Sequence, residues 1–112
     1  MIKIRVKRKS GKIVEIIASG HSGYAERGKD IICAAVSAVV QTGFLGVNNI
    51  NSKQVKINRD DEDGFISLKI LKFSEKDMEK AQIILDTMIL GLKDIELDNK
   101  KYLKLEEEDE IY

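Results

Sequence analysis

This chain of 112 residues predicts an α+β fold: a mostly antiparallel sheet with two main helices packed on it. Three observations predict it. Residues 2–8 alternate Ile2, Ile4 and Val6 with Lys3, Arg5 and Lys7, the period-two pattern of a half-buried strand. Two longer segments, one opening at Asp30 and one at Ser74, are instead apolar at helical spacing. Short loops link the elements in the order ββαββα, with room for a short last strand, and that order favours helices layered on an antiparallel sheet.

Each element follows from its residues. Ser10-Gly11 is a turn signal, so 12–19 returns as a second strand with Val14, Ile16 and Ala18 on one face, and Gly20 ends it. Residues 21–29 show no period and include Gly23 and Gly28, which reads as a mobile loop. Asp30 is a favoured N-cap for a helix running to about Leu45. Ala34, Ala35, Val36, Ala38, Val39 and Val40 make that helix apolar on most sides, so it is expected to be largely buried or used at an interface. Residues 53–59 and 64–72 read as a hairpin with Asp60 to Gly64 as its polar turn. Ser74 with Asp77 opens the second helix, whose stripe of Met78, Leu85, Met88, Ile89, Leu92 and Ile95 faces a core. Residues 101–105 are expected to form the short last strand. One domain, 1–105, is thus followed by an acidic C-terminal tail, 106–112. There is no internal repeat beyond a loose ββα echo.

Composition excludes several classes. With 43% hydrophobic and 34% charged residues, the chain has enough apolar content for a core and none of the bias of a disordered segment. No signal peptide is expected, because residues 1–14 alternate rather than run apolar. No stretch approaches the roughly 18 consecutive apolar residues of a membrane span. A lone Cys cannot form an internal disulfide, which suits a reducing compartment, so the cytoplasm is expected. Net charge is zero, so no global field draws nucleic acid or an acidic membrane. Charge is nevertheless segregated. Lys3, Arg5, Lys7, Arg8, Lys9 and Lys12 precede the first acid, Glu15, and the far end carries Glu106 to Glu110. A solvated strand face and a frayed tail account for this. A basic strand meeting RNA or an acidic partner lacks the interleaved aromatics that nucleic-acid binding uses.

The chemistry concentrates in one segment. His21 and Cys33 are the only residues of their kinds, twelve positions apart. With Asp30 as N-cap, Cys33 falls at the third helical position, where unpaired amides and the positive end of the helix dipole favour a thiolate. A nearby imidazole would add to that effect and serve as base. Asp30 opposes the thiolate directly but could orient the imidazole, as a third member does in a triad. Amides at the helix start, that of Cys33 included, are candidate oxyanion donors. The plain alternative is a buried, inert thiol that packs as a small hydrophobe. One Cys, one His and scattered carboxylates do not make a metal site, and no cofactor motif is present.

The run Gly20-His21 … Gly28-Lys29-Asp30-Ile31-Ile32-Cys33-Ala34-Ala35-Val36-Ser37 resembles the signature of the ribosomal-processing cysteine protease family, Prp. The resemblance covers most of the chain, including the helix with Ala81-Gln82-Ile83-Ile84-Leu85. It implies a small cytoplasmic bacterial endopeptidase without a papain-type fold, paired as a homodimer. The implied substrate is the large-subunit ribosomal protein numbered twenty-seven, which loses a short N-terminal extension cut after bulky apolar residues. Carried over, Cys33 is the nucleophile, His21 the general base and acid, and Asp30 an auxiliary group. Gly20 and Ser37 are structural near the site. Residues 22–29 form a lid over the peptide, with Ser22, Gly23, Tyr24 and Gly28 as its substrate-binding positions. Ile32 stands where Val is commoner, a packing change, and the acidic tail is longer than the pattern. No cofactor, metal, membrane or nucleic acid is implied. The alternatives are a non-catalytic ribosome-associated binding module using the basic first strand, and a redox-responsive thiol protein, which lacks a resolving Cys.

Overall fold

The alternating N-terminal segment forms β1 (Ile2–Lys9) and returns as β2 (Lys12–Ser19) through Ser10 and Gly11, both at positive φ (52° and 80°), as a two-residue hairpin turn requires. The structure, a computed structural model, describes residues 1–26 and 29–110. Beyond the loop lie α1 (Ile31–Ile50), a short 3-10 turn, β3 (Val55–Asp60), β4 (Phe65–Ile70), α2 (Glu75–Asp98) and β5 (Leu103–Glu110). The sheet order is β3-β4-β2-β1-β5, antiparallel except for β1 with β5. The expected α+β architecture with two main helices is therefore the observed one.

Three elements differ from expectation. Helix α1 continues past Leu45 because Gly46 is a packing contact rather than a stop. A Cβ there would lie 3.2 Å from Ile84 Cγ2, so the bare backbone lets α2 come close. The face of β2 changes at a bulge opposite Lys7 and Arg8, so Ile13 rather than Val14 enters the core with Ile16 and Ala18. Gln82 of α2 bonds both backbone groups of Ile13, its Oε1 accepting from the N–H at 2.7 Å and its Nε2 donating to the carbonyl at 2.9 Å. Finally, the last strand is longer than 101–105. The acidic residues Glu106 to Glu110 lie in β5 rather than in a frayed tail.

That last difference explains the charge segregation. In the parallel β1–β5 ladder, Arg5 faces Glu106, Lys7 faces Glu108 and Arg8 faces Asp109. Ion pairs join Arg5 to Glu106 at 4.0 Å, Arg8 to Glu107 at 3.2 Å and, across to β2, Lys7 to Glu15 at 3.7 Å. Exposed pairs of this kind add little stability each, but opposite charges across a ladder favour one register over its alternatives. Three cations of the basic strand thus meet acids of their own chain.

Both helices pack on one face of the sheet, around Ile4, Val6, Ile16, Leu68 and Leu103 below and Val40, Phe44, Val47, Leu85 and Leu92 above. The two helices cross-pack through Gly43 against Met88 and Gly46 against Ile84. Helix α1 is by length and composition apolar enough to cross a membrane, although Ser37, Gln41 and Thr42 interrupt its apolar run and a third of its most apolar stretch is buried in this core. Its outward side stays apolar too: Ile31, Ala34, Ala35, Ala38 and Leu45 are exposed.

Candidate active site

The site forms at one end of the sheet, where β2 stops. Gly20 has φ +93°, and a Cβ on it would stand 2.4 Å from the Met1 carbonyl oxygen, so any side chain would collide with backbone. The Gly20 N–H donates to the Gly64 carbonyl at 2.8 Å, fastening the start of the loop to the β3–β4 turn. Gly64, at φ +61°, lies against the imidazole. A Cβ there would be 2.7 Å from His21 Cε1 and 2.9 Å from Nε2. Two glycines in the left-handed region therefore place His21, the first beside the N-terminus and the second under the ring.

The cysteine is placed by the helix. Asp30 is the N-cap of α1, its Oδ1 accepting from the N–H groups of Ile32 at 3.1 Å and Cys33 at 2.9 Å. Cys33 thus occupies the third helical position, as the capping rule implies. The other carboxylate oxygen accepts from the Ser22 hydroxyl and from the Ala25 N–H at 3.4 Å. Burial pushes the Asp30 carboxyl upward. The donors from Cys33, Ser22, Ala25 and Ile32 outweigh that, and the carboxyl ends below its ordinary range. Asp30 is accordingly an ionised cap that also gathers the loop, and the imidazole is not among its partners. The Cys33 amide, expected as an oxyanion donor, is taken by that cap. The donor aimed at the sulfur is the Ser22 N–H, 3.3 Å from Sγ.

His21, Asp30 and Cys33 line one cavity of about 490 Å³. Its walls include Ser37 and Gln41, one and two turns along α1 from Cys33, and its apolar surface comes from Ala18, Val36, Val40, Phe65 and Ile66. Ser37 is exposed to this groove rather than packed beneath it. At the far end Arg59 pairs with Asp61 at 2.6 Å and reaches Gln41 at 3.4 Å, tying the hairpin to α1. Among the described residues His21 and Cys33 share no hydrogen bond; such bonds often form only when substrate is bound.

The loop is less uniform than a simple lid. Ser22 is buried, Gly23 has φ +75° with open space about it, and Tyr24 sets its ring edge-on to Tyr102 at 5.4 Å. Of this segment it is Ala25 that lines the cavity with His21 and Asp30. Gly28, expected among the lid positions, lies outside the described residues. Sequence reasoning missed Gly64, Phe65, Arg59 and Gln41. The polar turn was visible, but nothing in it signals that β4 pairs with β2 and sets Phe65 opposite Ser19. No group of three or more His, Cys, Asp or Glu that could hold a metal occurs among the described residues.

Comparison with known proteins bears on the fold and the family. The model of a family described as Cysteine protease Prp matches residues 1–104. The ribosomal processing cysteine protease Prp of Staphylococcus aureus is 32% identical over 95 residues, covering 85% of this chain and 87% of that protein. Its Bacillus subtilis counterpart is 28% identical over 107 residues, covering 94% and 96%. A crystal structure of the Staphylococcus aureus protease with a covalently linked product peptide superposes with a TM-score of 0.84 at 29% identity, over 96% of this chain and all of that one. An α+β cysteine protease is therefore the class that fold and relatives define. Within that class, the chain belongs to the cysteine protease Prp family.

Proposed function

We propose that this cysteine protease is an endopeptidase that removes a short N-terminal extension from a large-subunit ribosomal protein, the one numbered twenty-seven. The observation that carries the reading is the placement of Cys33: third in its helix, with an N–H on its sulfur, in the same cavity as His21. The thiolate attacks the scissile carbonyl carbon, forming a C–S bond and moving the carbonyl electrons onto oxygen. Collapse breaks the C–N bond, and His21 gives its proton to the departing amine. Water then attacks the thioester, giving a proton to His21, and the C–S bond breaks to return the thiolate. Asp30 is auxiliary, holding the helix start and the loop.

The ribosomal substrate is supported by the relatives, which are described as ribosomal processing proteases, one of them crystallised with a substrate peptide. The apolar walls of the groove suit a peptide with bulky apolar residues before the cut. The loop serves as lid, hinged beyond its Ser22 anchor. The lone thiol is suited to the reducing cytoplasm. The protein acts as a homodimer through the outer face of its helix layer. There α2 exposes Ile83, Leu90 and Leu97 at seven-residue spacing, each about two-thirds exposed, beside the apolar outer side of α1. The binding-module alternative relied on the cations of β1, three of which are paired within the chain.

The test is cleavage of a peptide spanning the host's own ribosomal-protein leader by wild type, Cys33→Ala and His21→Ala. Cleavage by wild type that is lost in both variants supports the reading. Folded, reduced wild type that leaves the leader intact overturns the substrate assignment.

A further inference from the structure

Ser22 was expected as part of a lid, yet it is 3% exposed, and its N–H and hydroxyl both bond within the site. Its N–H donates to Cys33 Sγ, its hydroxyl donates to Asp30 Oδ2, and the same hydroxyl oxygen accepts from the Tyr24 N–H at 3.1 Å. Asp30 in turn holds the Cys33 N–H. The three residues close a ring: Ser22 amide to sulfur, cysteine amide to carboxylate, carboxylate to serine hydroxyl.

Resting on the cysteine-protease reading, we infer that Ser22 is the positioning residue of the nucleophile. Its hydroxyl, locked on Asp30, aims its backbone N–H at the sulfur and holds the anion there. The neighbouring donors are engaged elsewhere, since Ile32 and Cys33 donate to Asp30 Oδ1 and the Ala34 N–H donates to the Asp30 carbonyl at 3.1 Å. Among the described residues, Ser22 therefore supplies the hydrogen bond on Sγ. Asp30 brings a negative charge close to a sulfur that must also be negative. The hydroxyl and amides gathered on the carboxylate offset part of that charge. Because His21 adjoins Ser22, the same latch fixes the backbone from which the imidazole projects.

The experiment reads Cys33 directly, without any peptide substrate. Alkylation by iodoacetamide is followed across pH by intact mass for wild type, Ser22→Ala and Ser22→Thr, alongside thermal melting. Losing the aim of a hydrogen bond to a charged group should slow alkylation of Ser22→Ala near neutrality by about tenfold and displace its profile to higher pH. Ser22→Thr, which keeps the hydroxyl, should return close to wild type. A merely structural serine would lower the melting point and leave the profile in place, and a Ser22→Ala profile that overlays wild type overturns the inference. Should Ser22→Ala not fold, wild type decides. The Ser22 amide proton resonance must follow thiol ionisation, and a flat response overturns the inference. A protein that cuts no leader peptide yet shows the Ser22-dependent profile loses its substrate assignment and keeps its positioned thiol.

Discussion

Gly64→Ala probes the histidine from the side that the sequence did not reveal. The added methyl would lie 2.8 Å from the Gly20 carbonyl oxygen and 2.7 Å from His21 Cε1, both inside van der Waals contact. Holding alanine at φ +61° costs on the order of 1 kcal/mol, and relieving the contacts adds a comparable amount. For a domain of this size, about 2 kcal/mol lowers the melting temperature by roughly 8 °C. The ring is the softer neighbour, so it moves. A displacement near 1 Å of a catalytic group costs roughly a hundredfold in rate. We expect kcat/KM on a leader peptide to fall by about that factor. Cys33 alkylation should stay within about twofold of wild type, because its hydrogen bonds run through Ser22 and Asp30. Wild-type cleavage by a folded Gly64→Ala protein would refute the claim that this turn sets the imidazole. Equal losses in cleavage and alkylation would show general damage instead.

Three further expectations come from other parts of the fold. Gln82→Ala should destabilise the protein by about 1–3 kcal/mol in urea titrations, because both Ile13 backbone groups at the bulge lose their partner. Leu90→Glu places a charge in the exposed α2 stripe and should shift sedimentation equilibrium from dimer to monomer without lowering the melting point; a wild-type monomer, or a dimeric variant, would refute that face as the interface. Asp30→Asn should separate from wild type in a pH-dependent way. The folded carboxyl ionises below its unfolded counterpart, so its contribution is full above the unfolded value and disappears as pH falls through the folded one. The stability gap between the two proteins is therefore expected to be constant near neutrality and to close in acid, and a gap independent of pH would count against the ionised cap.

Much of the site was legible because its determinants are local. An aspartate before an apolar helical run caps that run within three residues, and this alone places Cys33 at the helix start. The Ser10-Gly11 turn and the alternation of β1 likewise depend on neighbours in the chain. The sequence also displayed the opposite charges of its two ends, but periodicity cannot say whether such segments meet each other or a partner.

The tertiary structure decided what depends on contacts between distant segments. Pairing of β5 with β1 turned an apparent tail into a strand. The bulge exchanged Val14 for Ile13 in the core and gave Gln82 its task. Pairing of β4 with β2 carried Gly64 to His21 and completed the groove. Capping and turn geometry are set by hydrogen bonds a few residues long, whereas strand register is chosen by the packing of a whole face, and no short stretch of this chain contains that information.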